Sequence, residues 1–227
     1  MKLIIFDCDG TIVDSQHMIV AAMEGAFKGA GLPAPPRADI LSVVGLSLVP
    51  AVTQLLPPDC DRNLSSQLAE AYKQSFHTLR GDPTNHEPLY PGARDVIEAF
   101  AARDDVILGV ATGKSRRGVD LLFEREGLSG LFATIQTADD HPSKPHPSMV
   151  LQALAETELL PAQAVMIGDT TYDIHMALAA GVVPLGVAWG YHEPAALHAA
   201  GASCVMTSYS EMPAAIERVL GVQGARS

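Results

Sequence analysis

Three carboxylates fall within eight positions near the start of the chain: Asp7, Asp9 and Asp14 in "IIFDCDGTIVDS" (4–15), directly after the apolar run Leu3–Phe6. Charges this close repel one another, so the cluster needs a cation or a catalytic use to offset its cost. Three further stretches carry groups of the same kind. These are "VATGKS" (110–115) with Thr112 and Gly113, "HPSKPHP" (141–147) with Lys144, and "GDTTYD" (168–173) with Asp169 and Asp173. Singly, each has a plain structural use: Asp, Ser or Thr at a strand end caps the next helix, and most lysines are solvated. Four such stretches in one chain point instead to a shared crevice. Carboxylates there suit a hard divalent cation such as Mg²⁺, which takes oxygen ligands and keeps waters and substrate phosphate oxygens. With Lys144 as a fixed cation and Thr112 as a donor, the set makes a phosphate cradle around a carboxylate nucleophile.

Other chemistries fit less well. "GVATGKS" misses the phosphate-loop pattern, because Leu108 stands where its first glycine is required. Asp14, Ser66 and Ser210 lie six residues after Cys8, Cys60 and Cys204, where a cysteine phosphatase needs arginine. His141 and His146 sit between prolines without a third zinc ligand nearby.

The elements that must position these groups are legible as apolar runs. Leu3–Phe6, Val106–Ala111, Ala164–Ile167 and Val183–Val187 predict strands buried on both faces. Helical patterns at 92–102, 115–126, 147–157 and 171–180 alternate with them. This predicts an α/β fold, a Rossmann-like parallel sheet with helices on both faces and its ligand crevice at the carboxyl ends of the strands. Residues 16–87 break the pattern. They show helical periodicity at 17–29 and 62–79, prolines in "LPAPP" and "LPPD", and a connector "GDPTNHEPLYPG" (81–92). The expected organisation is a core of 1–15 and 88–227 with a helical insertion at 16–87, and "GVQGARS" at the end reads as a frayed tail.

The 227 residues carry a formal charge of -11. That excludes a nucleic-acid or anionic-membrane partner, each of which needs a basic face. Three scattered cysteines, no signal-peptide core and no apolar stretch of membrane length point to a cytoplasmic protein with reduced thiols; a monomer or weak homodimer is the prior expectation, to which no sequence feature speaks.

The four motifs resemble those of the haloacid dehalogenase superfamily, specifically its phosphatases with a helical cap after the first strand. D-x-D-G-T is matched by Asp7–Thr11, the strand-end Ser/Thr by Thr112, the lysine by Lys144 and G-D-x-x-x-D by Gly168–Asp173. "TGKSRRG" and "VAWGYH" (187–192) are also similar to phosphoglycolate phosphatases. The resemblance implies a two-step hydrolysis of a small phosphorylated metabolite, phosphoglycolate-like or a sugar phosphate. Asp7 attacks phosphorus to give an aspartyl-phosphate, and Asp9 protonates the leaving oxygen and then activates water. It further implies Mg²⁺ on the Asp7 carboxylate, the Asp9 backbone carbonyl and Asp169, with Asp173 supporting that site or Lys144. Phosphate contacts fall to Thr112, Lys144, Gly113 and the turn Cys8–Asp9–Gly10; Asp14 has no assigned chemical role in the family, and a hinge or cap role after the first turn is expected for it. In the cap, Gly45, Leu46, Ser47, Gln74, His77 and Arg80 are the expected specificity residues, Arg80 suiting a substrate carboxylate. A sugar phosphomutase would use the same aspartates, and a non-catalytic binding module is a third alternative.

Overall fold

Alternate residues of the first strand face opposite ways, so a strand apolar at every position must be covered on both sides. The computed structural model, which describes residues 1–58, 60–82 and 85–221, shows this arrangement. Strand β1 (Lys2–Phe6) sends Leu3 and Ile5 into one apolar cluster and Ile4 and Phe6 into another. The first cluster is closed by α7 (Ser148–Thr157) and α8 (Thr171–Ala179). The second is closed by α5 (Ala93–Ala101), α6 (Arg116–Glu126) and α10 (Met212–Gly221).

The sheet has six parallel strands in the order β3-β2-β1-β4-β5-β6. Its other members are β2 (Val106–Thr112), β3 (Thr134–Thr137), β4 (Ala164–Gly168), β5 (Val183–Val187) and β6 (Val205–Met206). From β1 the chain builds outward on one side through β2 and β3, then returns to lay β4, β5 and β6 on the other. The order therefore reverses beside β1, where α/β sheets open a ligand crevice. The expected strands and helices are present. Two strands had no sequence signal, because β3 (TIQT) is polar at three of its four positions and β6 has two residues. Helix α9 (Pro194–Ala200), with proline in its first turn, and α10 were likewise unmarked.

Between β1 and α5 the described chain is helical: α1 (Gln16–Gly29), α2 (Arg37–Ser42), α3 (Leu48–Leu55) and α4 (Arg62–Arg80). These four helices share an apolar cluster of their own, with Met23, Phe27, Ile40, Val52 and Leu68 at its centre. Its two connections to the sheet lie side by side. Val13 bridges Leu89, and the Asp14 N–H donates to the Pro88 carbonyl at 2.8 Å. No helix among the described residues is long and apolar enough to cross a membrane. The expected frayed tail, beyond Gly221, lies outside the described residues.

Candidate active site

The strand order sets Asp7, at the end of β1, between Thr112, the last residue of β2, and Asp169, just after β4. Lys144 arrives from the loop between β3 and α7. Asp7, Thr112, Lys144, Asp169 and Asp173 are all buried, at 1% exposure or less. Lys144 Nζ lies 2.8 Å from Asp7 Oδ1 and donates to Asp173 Oδ1 at 2.6 Å. The other Asp173 oxygen accepts from the N–H and hydroxyl of Thr170. Thr170, not Asp169, thus caps α8, and Asp173 supports Lys144.

Asp169 is held differently, accepting from the Thr11 hydroxyl at 3.0 Å and the Tyr191 N–H at 2.9 Å. Backbone presses on it from two sides. A Cβ on Gly10 would lie 2.2 Å from Asp169 Oδ2, and one on Gly190 2.1 Å from its Cβ. Gly10 also has φ +87°, in the left-handed region that favours glycine. Its N–H donates to the Val13 carbonyl, so of the expected phosphate donors this one is already engaged within the turn. Cys8 contributes its side chain to the core cluster, away from the carboxylates.

One lysine stands against three acids here. Carboxylate oxygens of Asp7, Asp169 and Asp173 lie within 4.8 Å of one another. Burial pushes Asp7 up to about 6, helped by Asp173 and Asp9 and opposed by Lys144. Burial pushes Asp169 well above the usual carboxylate range, with Asp173 and Asp7 adding to it. Burial alone would lower Lys144, but Asp173 and Asp7 outweigh it and hold the ammonium charged. Neither buried oxygen of Asp7 accepts a well-directed hydrogen bond, although Oδ1 has the ammonium beside it. Under-compensated oxygen ligands of this hardness fit a divalent cation such as Mg²⁺.

Asp9 belongs to a second constellation. Its Oδ1 accepts from the Ser15 hydroxyl at 2.6 Å and from Lys114 Nζ at 2.8 Å. Lys114 also donates to Glu87 Oε1 at 2.9 Å, and Arg80 donates to Glu87 Oε2 at 3.1 Å. Ser15 precedes the first of the four helices and Glu87 follows the last, so groups from both connections converge on Asp9. Lys114 and Glu87 were absent from the expected site. "TGKS" suggested a cap for α6, which Ser115 does supply, and that use concealed the lysine beside it. Glu87 had no signal beyond its place in a proline-rich connector.

A cavity of about 610 Å³ extends from Asp7, Asp9 and Thr112 into the helical segment. The loop Gly45–Leu46–Ser47 forms one wall and lies directly on Gly113, where a Cβ would stand 2.8 Å from the carbonyls of Gly45 and Leu46. Helix α4 forms another, presenting Tyr72, Lys73, Phe76, His77 and Arg80. These positions share one face at helical spacing, while Gln74 lies roughly 130° around the helix from the centre of that face. Gln74 is exposed and does not line the cavity. Arg80 does line it, but its guanidinium is paired with Glu87 and lies over the Phe76 ring rather than waiting for a substrate carboxylate.

A family model described as haloacid dehalogenase-like hydrolase matches residues 4–187. A protein named probable phosphatase IndB, from Dickeya dadantii, is 34% identical over 224 residues, covering 96% of this chain and 94% of that one. A phosphoglycolate phosphatase of Vibrio cholerae is 31% identical, covering 85% and 86%. A pyrophosphatase PpaX of Oceanobacillus iheyensis is 30% identical, covering 83% and 84%. Among solved structures, a haloacid dehalogenase-like hydrolase from Streptococcus pneumoniae superposes with a TM-score of 0.81 at 25% identity, covering 95% of this chain and 98% of that one.

Proposed function

The chain belongs to the haloacid dehalogenase-like hydrolase family, and from that premise we propose that it is a Mg²⁺-dependent phosphatase of small phosphate monoesters working through an aspartyl-phosphate. The observation that carries this reading is the division of labour between two carboxylates two residues apart. Asp7 is sealed against Lys144, whereas Asp9, on the same cavity's lining, is held by hydroxyl and ammonium donors. The relatives named as phosphatases and a pyrophosphatase support the same class of reaction.

In the proposed reaction an Asp7 oxygen bonds to phosphorus as the ester P–O bond breaks, and Asp9 gives its proton to the departing alcohol. Water then attacks phosphorus, the Asp7–phosphorus bond breaks and Asp9 takes the proton back. Thr112, Lys144 and the Gly113 backbone hold the phosphoryl oxygens, and Asp173 fixes Lys144. Asp7, the Asp9 carbonyl and Asp169 are the ligands proposed for Mg²⁺, which when bound offsets the negative charge of phosphate and carboxylates. The segment 16–87 acts as a cap that closes over residues 1–15 and 88–227, excludes water and reads the rest of the substrate.

Phosphate release from p-nitrophenyl phosphate tests the reading. Release should require Mg²⁺, stop with EDTA and resume when Mg²⁺ is restored; release that persists in EDTA would refute the metal assignment. Steady release without a sugar bisphosphate would separate hydrolysis from the phosphoryl return of a mutase.

A further inference from the structure

The part of the substrate beyond the phosphate must occupy the cavity between the helical segment and the sheet. At about 610 Å³ that space has the size of a pocket for a whole metabolite, not a two-carbon acid. Its walls are largely hydrocarbon, with Ile19, Met23, Ile40, Val43, Tyr72 and Phe76 supplied by α1, the stretch around α2 and α4. Two large apolar side chains left exposed on the surface also belong to its lining. Val49, 41% exposed, comes from α3 and Leu121, 40% exposed, from α6. Exposed apolar groups that line the same cavity mark a place where apolar surface is buried on binding.

The half-buried cations along the same walls are already matched. Lys114 is shared by Asp9 and Glu87, and Arg80 is bound to Glu87. Lys73 is exposed and paired with Glu70, and His77 and Arg117, also on the lining, are exposed to solvent. A second anion on the substrate would therefore lose its hydration without gaining a buried, unpaired cation, which is unfavourable. Apart from the Asp7 oxygens at the phosphate end, the unpartnered buried polar side-chain atom among the described residues of this lining is the neutral Ser47 hydroxyl.

We propose that the substrates are phosphate monoesters of uncharged, largely apolar alcohols, bearing a ring or a chain of several carbons and no second anionic group. This rests on the phosphatase reading and narrows it. The balance is that of hydrolysis: ester and water give the free alcohol and inorganic phosphate, with the alcohol's proton delivered by Asp9.

The experiment compares kcat/KM with Mg²⁺ for ethyl, hexyl and benzyl phosphate and phosphoglycolate, with p-nitrophenyl phosphate as the general reporter. Ethanol and hexanol are nearly equal leaving groups, so their ratio reads the pocket. Hexyl and benzyl phosphate should each exceed ethyl phosphate and phosphoglycolate by about tenfold or more, since a single methylene in an apolar pocket is worth about that. Val49→Asp and Leu121→Asp, both at half-exposed positions, should pull the hexyl-to-ethyl ratio toward one. Preference for phosphoglycolate, or equal hexyl and ethyl values, would overturn the proposal while leaving the phosphatase reading intact. Turnover of p-nitrophenyl phosphate but of none of the four would do the same. Failure to hydrolyse any of the five compounds would overturn the phosphatase reading and this proposal with it.

Discussion

Asp7 is held in a state that costs the folded chain stability. Its folded value of about 6 lies above the usual 3.8, so its contribution to stability is full below 3.8 and is lost as pH rises through about 6. Near neutral pH the buried carboxylate is therefore a burden in the metal-free protein. Asp7→Asn should raise stability by about 1–3 kcal/mol in EDTA near pH 7.5, read by thermal unfolding, and lower kcat by about a thousandfold or more. Glu87 has the opposite sign. Burial would raise it, but Lys114 and Arg80 outweigh that and hold it below the usual 4.5. Its contribution is present above pH 4.5 and is lost as pH falls through the lower folded value. Glu87→Gln should cost about 2 kcal/mol at neutral pH, and the gap from the parent protein should close in acid below pH 4.5. The sequence showed Asp7, Asp9, Thr112 and Asp169 because each ends an apolar strand or lies in the turn just after it, and Lys144 because prolines flank it in a short polar stretch. It hid Lys114 and Glu87 because their significance is a pairing between residues 27 apart, which no local pattern records.

At the scale of elements, the loop that lies against Gly113 and the inward face of α4 decide what the cavity admits. Gly113→Ala would place a methyl 2.8 Å from the carbonyls of Gly45 and Leu46, so the loop must lift to accommodate it. That variant should lose about tenfold in kcat/KM, an amount set by misplacing a positioning element. Gln74→Ala should leave kcat/KM within twofold of the parent in the same assay, because Gln74 is exposed and off the lining. Helix α4 itself was legible from its periodicity, but which face points inward was not. Hydrophobic spacing alone does not tell the side that covers the helical cluster from the side that borders the cavity, and Tyr72 and Phe76 serve both. Short polar β3 and two-residue β6 were unreadable for a different reason, since their pairing comes from neighbours already in the sheet rather than from their own sequence.

For the molecule as a whole, a chain with formal charge -11 handles an anionic phosphoryl group by placing a few cations and donors locally, rather than through a basic surface. The parallel sheet supplies that placement, because four adjacent strands, β3, β2, β1 and β4, end at the same side. This much followed from apolar runs buried on both faces. The apolar-walled cavity did not, since it forms only where the helical segment meets the sheet. The central claim is that Asp7 carries the phosphoryl group. Turnover quenched in acid and reduced with borohydride converts an aspartyl-phosphate to homoserine, which peptide sequencing locates. The account predicts homoserine at position 7, formed only with substrate and Mg²⁺ and absent from Asp7→Asn. Unmodified Asp7 in enzyme caught turning over, or homoserine at another aspartate, would contradict it.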